Sequence, residues 1–249
     1  MPSRVRNDSR PTRMPAFPDT RWTLIFEAAC TQTAEGLSAL DQLCRRYWEP
    51  LNSYARCRGY SPADADDITQ AFFSRLLENK MHAKATPERG RFRTFLLMMM
   101  QSFIANDLRA ATRQKRGGGA VHETIDDHAD SVATTQTPET LFEQKWAQAV
   151  LATAITQLDH EYRAKGRAER FAVMRPLLAI RHDGDTASLA AQLNVTPVNF
   201  RKLLHGFRQR FGELVREEVA RLVSDPSEVD DELAHLIRVM GEASMSNDD

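Results

Sequence analysis

Leu141, Phe142, Trp146, Val150, Ala154, Leu158 and Tyr162 stand four residues apart after the opening pair, over a stretch of 22 residues with no break. Only a helix gathers such a set on one face, because strand side chains change face at every residue. The same period recurs in Leu37, Leu40, Leu43 or Cys44, Tyr47, Leu51 and Tyr54, in Ala65, Ile68, Phe72 and Leu76, and in Phe92, Phe95, Leu96, Met99 and Phe103. Gly and Pro number eleven each among 249 residues, too few to break these runs often. The pattern predicts an all-α chain built from amphipathic helices.

The punctuation between the stripes sets the expected boundaries. Residues 1–18 carry four Arg and four Pro with little apolar content before Phe17, and read as a flexible arm. The first stripe is expected to bend or restart near Pro50 and to end at Gly59. Ser61, Pro62 and Asp64 then form a helix start: serine as N-cap, proline at the first helical position and an acid in the first turn. Gly117, Gly118 and Gly119 stop the third helix, and no sustained apolar period follows until Thr137. Two small helical domains are therefore expected, 19–116 and 138–223, joined by a flexible linker, 117–137. An acidic tail follows, 224–249. A helix from 167 to 180, perturbed at Pro176, is expected in the second domain. Another is expected in the tail from 226 to 240, with Val229, Leu233, Leu236, Ile237 and Met240 as its stripe, packed on the protein or binding a regulator.

A net charge of −1 conceals strong segregation. From Lys84 to Arg116 eight basic residues face two acids, and from Arg201 to Arg216 five face one. Between them, Ala120 to Glu143 holds six acids and no Lys or Arg, and Glu217 to Asp249 holds ten acids against two Arg. Two basic blocks separated by an acidic linker suit a chain that holds nucleic acid at two places.

Several function classes are excluded on the same reading. The longest strongly apolar run, Phe95 to Met100, is far below the roughly 18 residues of a membrane span. The first twenty residues have no signal-peptide core, so a cytoplasmic protein without membrane contact is expected. Cys30, Cys44 and Cys57 form no CxxC pair, and the seven His show no ligand spacing, so neither a metal nor a cofactor is expected. No nucleophile elbow or phosphate loop is present, and Asp64, Asp66 and Asp67 on one turn do not make a catalytic site.

The sharpest local signal runs from Ala187 to Leu214. Ser188 to Leu193 form a short, small-residue helix; Asn194 to Thr196 turn; Thr196 caps a second helix with Pro197 at its first position. This is the helix-turn-helix pattern. Phe200, Leu204, Phe207, Phe211 and Leu214 make the inner stripe, leaving Val198, Asn199, Arg201, Lys202 and His205 outward near the N-terminus. There Asn can bond adenine and Arg or Lys guanine in the major groove. Arg208, Arg210 and Arg216 are better placed for phosphates. The competing reading is a helical hairpin with an ordinary solvated basic face. Phe92, Phe95 and Phe103 likewise read either as core or as a stacking platform for unpaired bases.

Two longer stretches carry a resemblance. YWEPLNSYARCRGYSPADADDITQAFFSRLLENK, residues 47–80, and PERGRFRTFLLMMMQSFIANDLRAATRQKRGGG, residues 87–119, resemble the region-2 domain of extracytoplasmic-function (ECF) RNA polymerase sigma factors. TLFEQKWAQAVL and SLAAQLNVTPVNFRKLLHGFRQRFGELVREEVA resemble the region-4 domain of the same group. The similarity implies a non-enzymatic subunit that binds core RNA polymerase, through the beta-prime clamp helices and the beta flap, and promoter DNA. An anti-sigma factor or other regulator is a further partner it implies. Asp64, Asp66, Asp67 and Gln70 would be polar contacts to the clamp helices, with Phe73 and Leu77 supplying exposed apolar area; as a bland alternative, the acids favour the helix dipole. Arg91, Arg93, Asn106, Arg109, Arg113, Lys115 and Arg116 would engage the −10 element and the melted strand. The helix bearing Val198, Asn199, Arg201, Lys202, His205, Arg208 and Arg210 would read the −35 element, and the acidic linker would thread toward the catalytic cleft. Two positions depart from the group's pattern. Gly206 stands where an Arg usually follows the histidine matched by His205, and Leu203 stands where a basic or small residue is common. The alternative function is a free-standing helix-turn-helix regulator, which leaves the acidic helix and the QKRGGG block unexplained; co-purification with core polymerase separates the two.

Overall fold

The computed structural model describes residues 34–78, 91–117, 136–178, 186–223 and 225–246, with side chains described from 41, up to 109 in the third helix and up to 243 in the last. Every regular element among the described residues is helical. The arm 1–18 and most of the linker 117–137 lie outside the described residues, as does Cys30.

Helix α1 (Ala34–Cys57) runs through Pro50 instead of restarting there. It buries Leu43, Tyr47, Leu51 and Tyr54, and stops where Gly59 takes φ +93°, a backbone that a side chain would strain. Helix α2 (Pro62–Glu78) starts as expected: the Ser61 Oγ accepts from the Asp64 N–H at 3.2 Å and donates to Asp64 Oδ2 at 2.6 Å. Helix α3 (Phe92–Gly117) buries Phe92, Leu96, Leu97, Met100 and Ile104, so the two phenylalanines nearest its start, Phe92 and the partly buried Phe95, stack on each other within the core at 6.0 Å.

Helix α4 (Pro138–Ala164), capped by Thr137, carries the unbroken stripe, and its 27 residues span about 40 Å at 1.5 Å per residue. Helix α5 (Ala168–Met174) is shorter than expected; Arg175–Leu178 tightens into a 3-10 turn at Pro176, which cannot donate to an α-helical ladder. Helix α6 (Thr186–Gln192), a turn with Asn194 at φ +52°, and helix α7 (Pro197–Ala220) form the helix-turn-helix. A 3-10 turn (Pro226–Glu228) leads into helix α8 (Val229–Ser246), which extends beyond the expected end. Its inward residues are Val229, Glu232, Leu236 and Val239, whereas Ile237 is 64% exposed. The expected stripe was therefore rotated: a buried glutamate occupies a position that hydrophobicity alone assigns to solvent.

The buried residues form one continuous cluster that runs from α1 through α4 to α7 and α8. Tyr47 meets Phe92 edge-on at 5.7 Å, and Phe207 meets Tyr162 and Phe171 at 5.3 and 6.0 Å. Residues on either side of the linker thus share a core, with α4 lying against α1. Four ion pairs also join residues from the two sides of the linker: Arg46 with Glu218, Arg93 with Glu143, Arg93 with Glu232, and Arg91 with Glu232. Arg46, Arg93, Glu218 and Glu232 are all buried. Charges survive such burial only in pairs, since an ion removed from water alone costs several kcal/mol, roughly.

Candidate nucleic-acid interface

The second helix of the helix-turn-helix is built from its cap upward. Thr196 adopts φ −70°, ψ 152° and accepts from the Asn199 N–H at 3.3 Å, so the chain enters α7 in a fixed direction. Phe200 and Phe207 are fully buried and Leu204 nearly so. The opposite face exposes Val198, Asn199, Arg201, Lys202 and His205, with Val198 at 60%. An amide, a guanidinium and an ammonium therefore project from the first two turns, the donor set that reads purine edges in a major groove. Gly206 follows on this exposed face, and a Cβ added there meets nothing within 4 Å.

Farther along α7 the arginines differ from the sequence expectation. Arg210 is held by Glu161, with 2.7 Å from Nη2 to Oε1, and by Glu213 and Glu217 at 3.0 Å each. These three carboxylates raise the Arg210 pKa, and the hydrogen bond from Arg210 lowers that of Glu161. Arg208 donates from Nε and Nη2 to the Leu177 carbonyl at 3.2 and 2.8 Å, tying α7 to the 3-10 turn, though its side chain stays exposed. Arg216 pairs with Asp230 at 2.6 Å. Arg210, expected to be better placed for phosphate, is engaged by carboxylates in this arrangement, and helical spacing within α7 could not show that α4 brings Glu161 beside it.

On α2 the acidic residues Asp64, Asp66 and Asp67 and the amide of Gln70 are exposed along one side. Asp66 Oδ1 accepts from Asn52 Nδ2 at 2.8 Å, which fixes this face relative to α1. Phe73 is not the exposed apolar contact that was expected. It is 5% exposed and stacks on Trp48 with ring centroids 6.0 Å apart and planes 11° from parallel. Leu77 is half-buried. The α2 stripe is wider than the four residues that spacing singled out, because α1 covers it on a second side.

The basic helix divides into two parts. At its start Arg93 is 4% exposed, its Nε donating to Glu143 at 2.8 Å and its Nη1 to Glu232, while its guanidinium lies 4.3 Å from the Trp146 ring centroid. Burial lowers its pKa against the pull of Glu143. Arg91 Nε lies 2.9 Å from Glu232 Oε2. So Arg93, expected among the outward DNA contacts, is an interior residue in this arrangement. Asn106 and Arg109 are exposed as expected, joined at 3.4 Å. The side chains of Arg113, Lys115 and Arg116 lie outside the described residues. Glu143, Glu218, Glu232 and His235 were not singled out from sequence. Their common signal is a charge placed at helical spacing inside an apolar stripe, as Glu232 stands between Val229 and Leu236.

Chemistry of other kinds finds little to work with. No group of three potential metal ligands occurs among the described residues, and no described helix is long and apolar enough to cross a membrane. Cys44 and Cys57 are free, and burial pushes the Cys44 thiol up to about 11.

A scaffold that is helical throughout its described regular elements presents an acidic helix, a basic helix and a capped helix-turn-helix, the arrangement of a helical protein with candidate surfaces for nucleic acid and for a partner. The family model described as ECF sigma factor matches residues 31–175, more than half of the chain, and the chain belongs to that family. No curated protein and no solved structure matches it. Family membership makes the chain a non-enzymatic initiation factor that binds RNA polymerase and directs promoter-specific transcription. The match ends at residue 175, before α6 and α7.

Proposed function

We propose that this ECF sigma factor docks on the beta-prime clamp helices through the α2 face of Asp64, Asp66, Asp67 and Gln70. On the polymerase the two halves of the chain act as separate promoter-reading units. Arg91, Arg93, Asn106, Arg109, Arg113, Lys115 and Arg116 engage the −10 element and hold its melted strand, and Val198, Asn199, Arg201, Lys202 and His205 read the −35 element. The region around α5 and α7 meets the beta flap, the linker 117–137 runs toward the catalytic cleft, and the protein works in the cytoplasm under an anti-sigma factor or comparable regulator.

The observation that carries this reading is the co-existence on one chain of an outward acidic face on α2 and an outward Asn-Arg-Lys set on α7. A simple operator-binding regulator needs only the second. Run-off transcription from genomic fragments with core polymerase plus this protein is the direct test, since specific start sites should appear only when both are present. Asp67→Arg with Gln70→Ala should abolish co-elution with core enzyme and leave the thermal midpoint unchanged. Retained co-elution by the folded variant would remove the docking assignment. Phe73→Ala is unsuitable for this purpose, because emptying an aromatic core site costs about 3 to 5 kcal/mol.

A further inference from the structure

Helix α8 covers the start of the basic helix. Its Glu232 is 1% exposed and pairs with both Arg91 and Arg93. With Nε on Glu143, Nη1 on Glu232 and its flat face over Trp146, the Arg93 guanidinium turns its donors and its ring-stacking surface to groups within the chain. A carboxylate and a phosphate are alternative partners for the same planar fork. A phosphate is thus a chemical alternative to Glu232 as the partner of Arg91 and Arg93. Val229, Leu236 and Val239 seat the helix, and Asp230 ties its first turn to Arg216 on α7 at 2.6 Å.

We propose that α8 is an autoinhibitory helix, an internal acidic competitor that keeps Arg91 and Arg93 from promoter DNA until it is displaced. This rests on the reading of Arg91 and Arg93 as −10 contacts given above. The control is selective by position. Asp64, Asp67 and Gln70 on α2, and Asn199, Arg201 and Lys202 on α7, are exposed with α8 in place. Docking to polymerase and contact with the −35 element can thus begin with α8 seated, whereas engagement through Arg93 cannot. Displacement frees Arg91 and the Nη1 of Arg93 from Glu232 and gives DNA a site that the closed chain withholds, while Glu143 and Trp146 of α4 still flank Arg93.

The test uses the full chain and a labelled single-stranded DNA of mixed sequence, about 20 nucleotides long to cover one binding groove. Hydrogen exchange across residues 229–243 is followed with and without this DNA, and binding is read by anisotropy for the wild type, Glu232→Gln, and Glu232→Gln with Arg93→Gln. Saturating DNA should raise exchange in α8. Glu232→Gln should bind about three- to tenfold more tightly, because apparent affinity scales with the fraction of competent molecules. Adding Arg93→Gln should remove that gain. Unchanged α8 exchange at saturation overturns the proposal. So does equal affinity of wild type and Glu232→Gln when α8 exchanges faster in the variant, and so does absence of binding by both. Should Glu232→Gln misfold, the wild-type exchange measurement decides. Core-polymerase co-elution of the same wild-type sample separates the two readings. Its absence beside DNA-driven release of α8 removes the docking assignment alone, and its presence beside an unmoved α8 removes the inhibitory one alone.

Discussion

The guanidinium of Arg93 lies 4.3 Å from the centroid of the Trp146 ring, and both side chains are almost wholly buried. Arg93 belongs to α3 and Trp146 to α4, beyond the linker, so this contact joins halves that sequence patterning separates. Trp146→Ala should cost about 3 to 5 kcal/mol in urea unfolding, for the lost area and the cavity left behind. A double-mutant cycle with Arg93→Met should return a coupling of about 1 to 2 kcal/mol, the range of a desolvated cation–π contact. Zero coupling would mean that the two side chains are merely neighbours.

His235 makes the seating of α8 sensitive to acid. Its Nδ1 accepts from Arg238 at 2.7 Å, so the neutral ring carries its proton on Nε2 and donates it to Glu143 at 2.9 Å. Burial lowers its pKa below 6.5, Glu143 opposes this, and Arg93 and Arg238 reinforce it; the Trp146 ring lies 6.1 Å away. With the folded value below the unfolded one, the contribution is complete above about pH 6.5 and declines as pH falls from there through the folded value. Exchange protection of α8 should therefore be weaker at about pH 5.5 than at about pH 7.5. His235→Gln should flatten that part of the dependence, and an unchanged profile would remove His235 from the account.

Arg201 and Arg210 stand on the same helix and should behave differently. Arg201→Ala should cost about 1 to 3 kcal/mol on a preferred −35 duplex and less on a scrambled one. Arg210→Ala should leave the salt slope of duplex binding unchanged, since its partners are Glu161, Glu213 and Glu217, and should lower the thermal midpoint instead. The Glu161 pairing is complete above the ordinary carboxylate value and fades as pH falls through the lowered one, so the Arg210→Ala penalty should shrink in acid. A loss of about one unit of salt slope on Arg210→Ala would return it to the phosphate contacts.

Gly206 offers a gain. Alanine there should stabilise α7 by up to about 1 kcal/mol, because the helix interior disfavours glycine and the added Cβ meets open space. Thermal unfolding of Gly206→Ala should show a raised midpoint. A lowered one would mean that α7 needs an irregularity at this turn.

The helical class and the caps at Ser61 and Thr196 were legible in the sequence because each rests on residues within a few positions of one another. The outward set on α7 was legible for the same reason: Phe200, Leu204 and Phe207 fix which side faces in. What escaped was long-range. Nothing near Arg93 in sequence announces Glu143 or Glu232, which lie 50 and 139 residues away. Phe73 was placed outside because the resemblance alone assigned it to a polymerase contact, and nothing near it in sequence announces Trp48; the surroundings of Arg210 escaped because Glu161 belongs to another helix. The tail's stripe was rotated because a buried glutamate was counted as polar, and hence outward.

The surface shared by α4, α7, α8 and the first helices is studded with Arg46, Arg93, Glu143, Glu218 and Glu232. An interface made only of Leu and Phe would, on parting, leave a sticky apolar sheet that invites aggregation. Here the parting surfaces regain hydration of their ions, which offsets part of the lost burial. Chloride and sodium ions in the medium would also favour the separated faces by screening charges once they are wet. A seam of this kind exposes less bare apolar surface on parting than a purely aliphatic one of the same size.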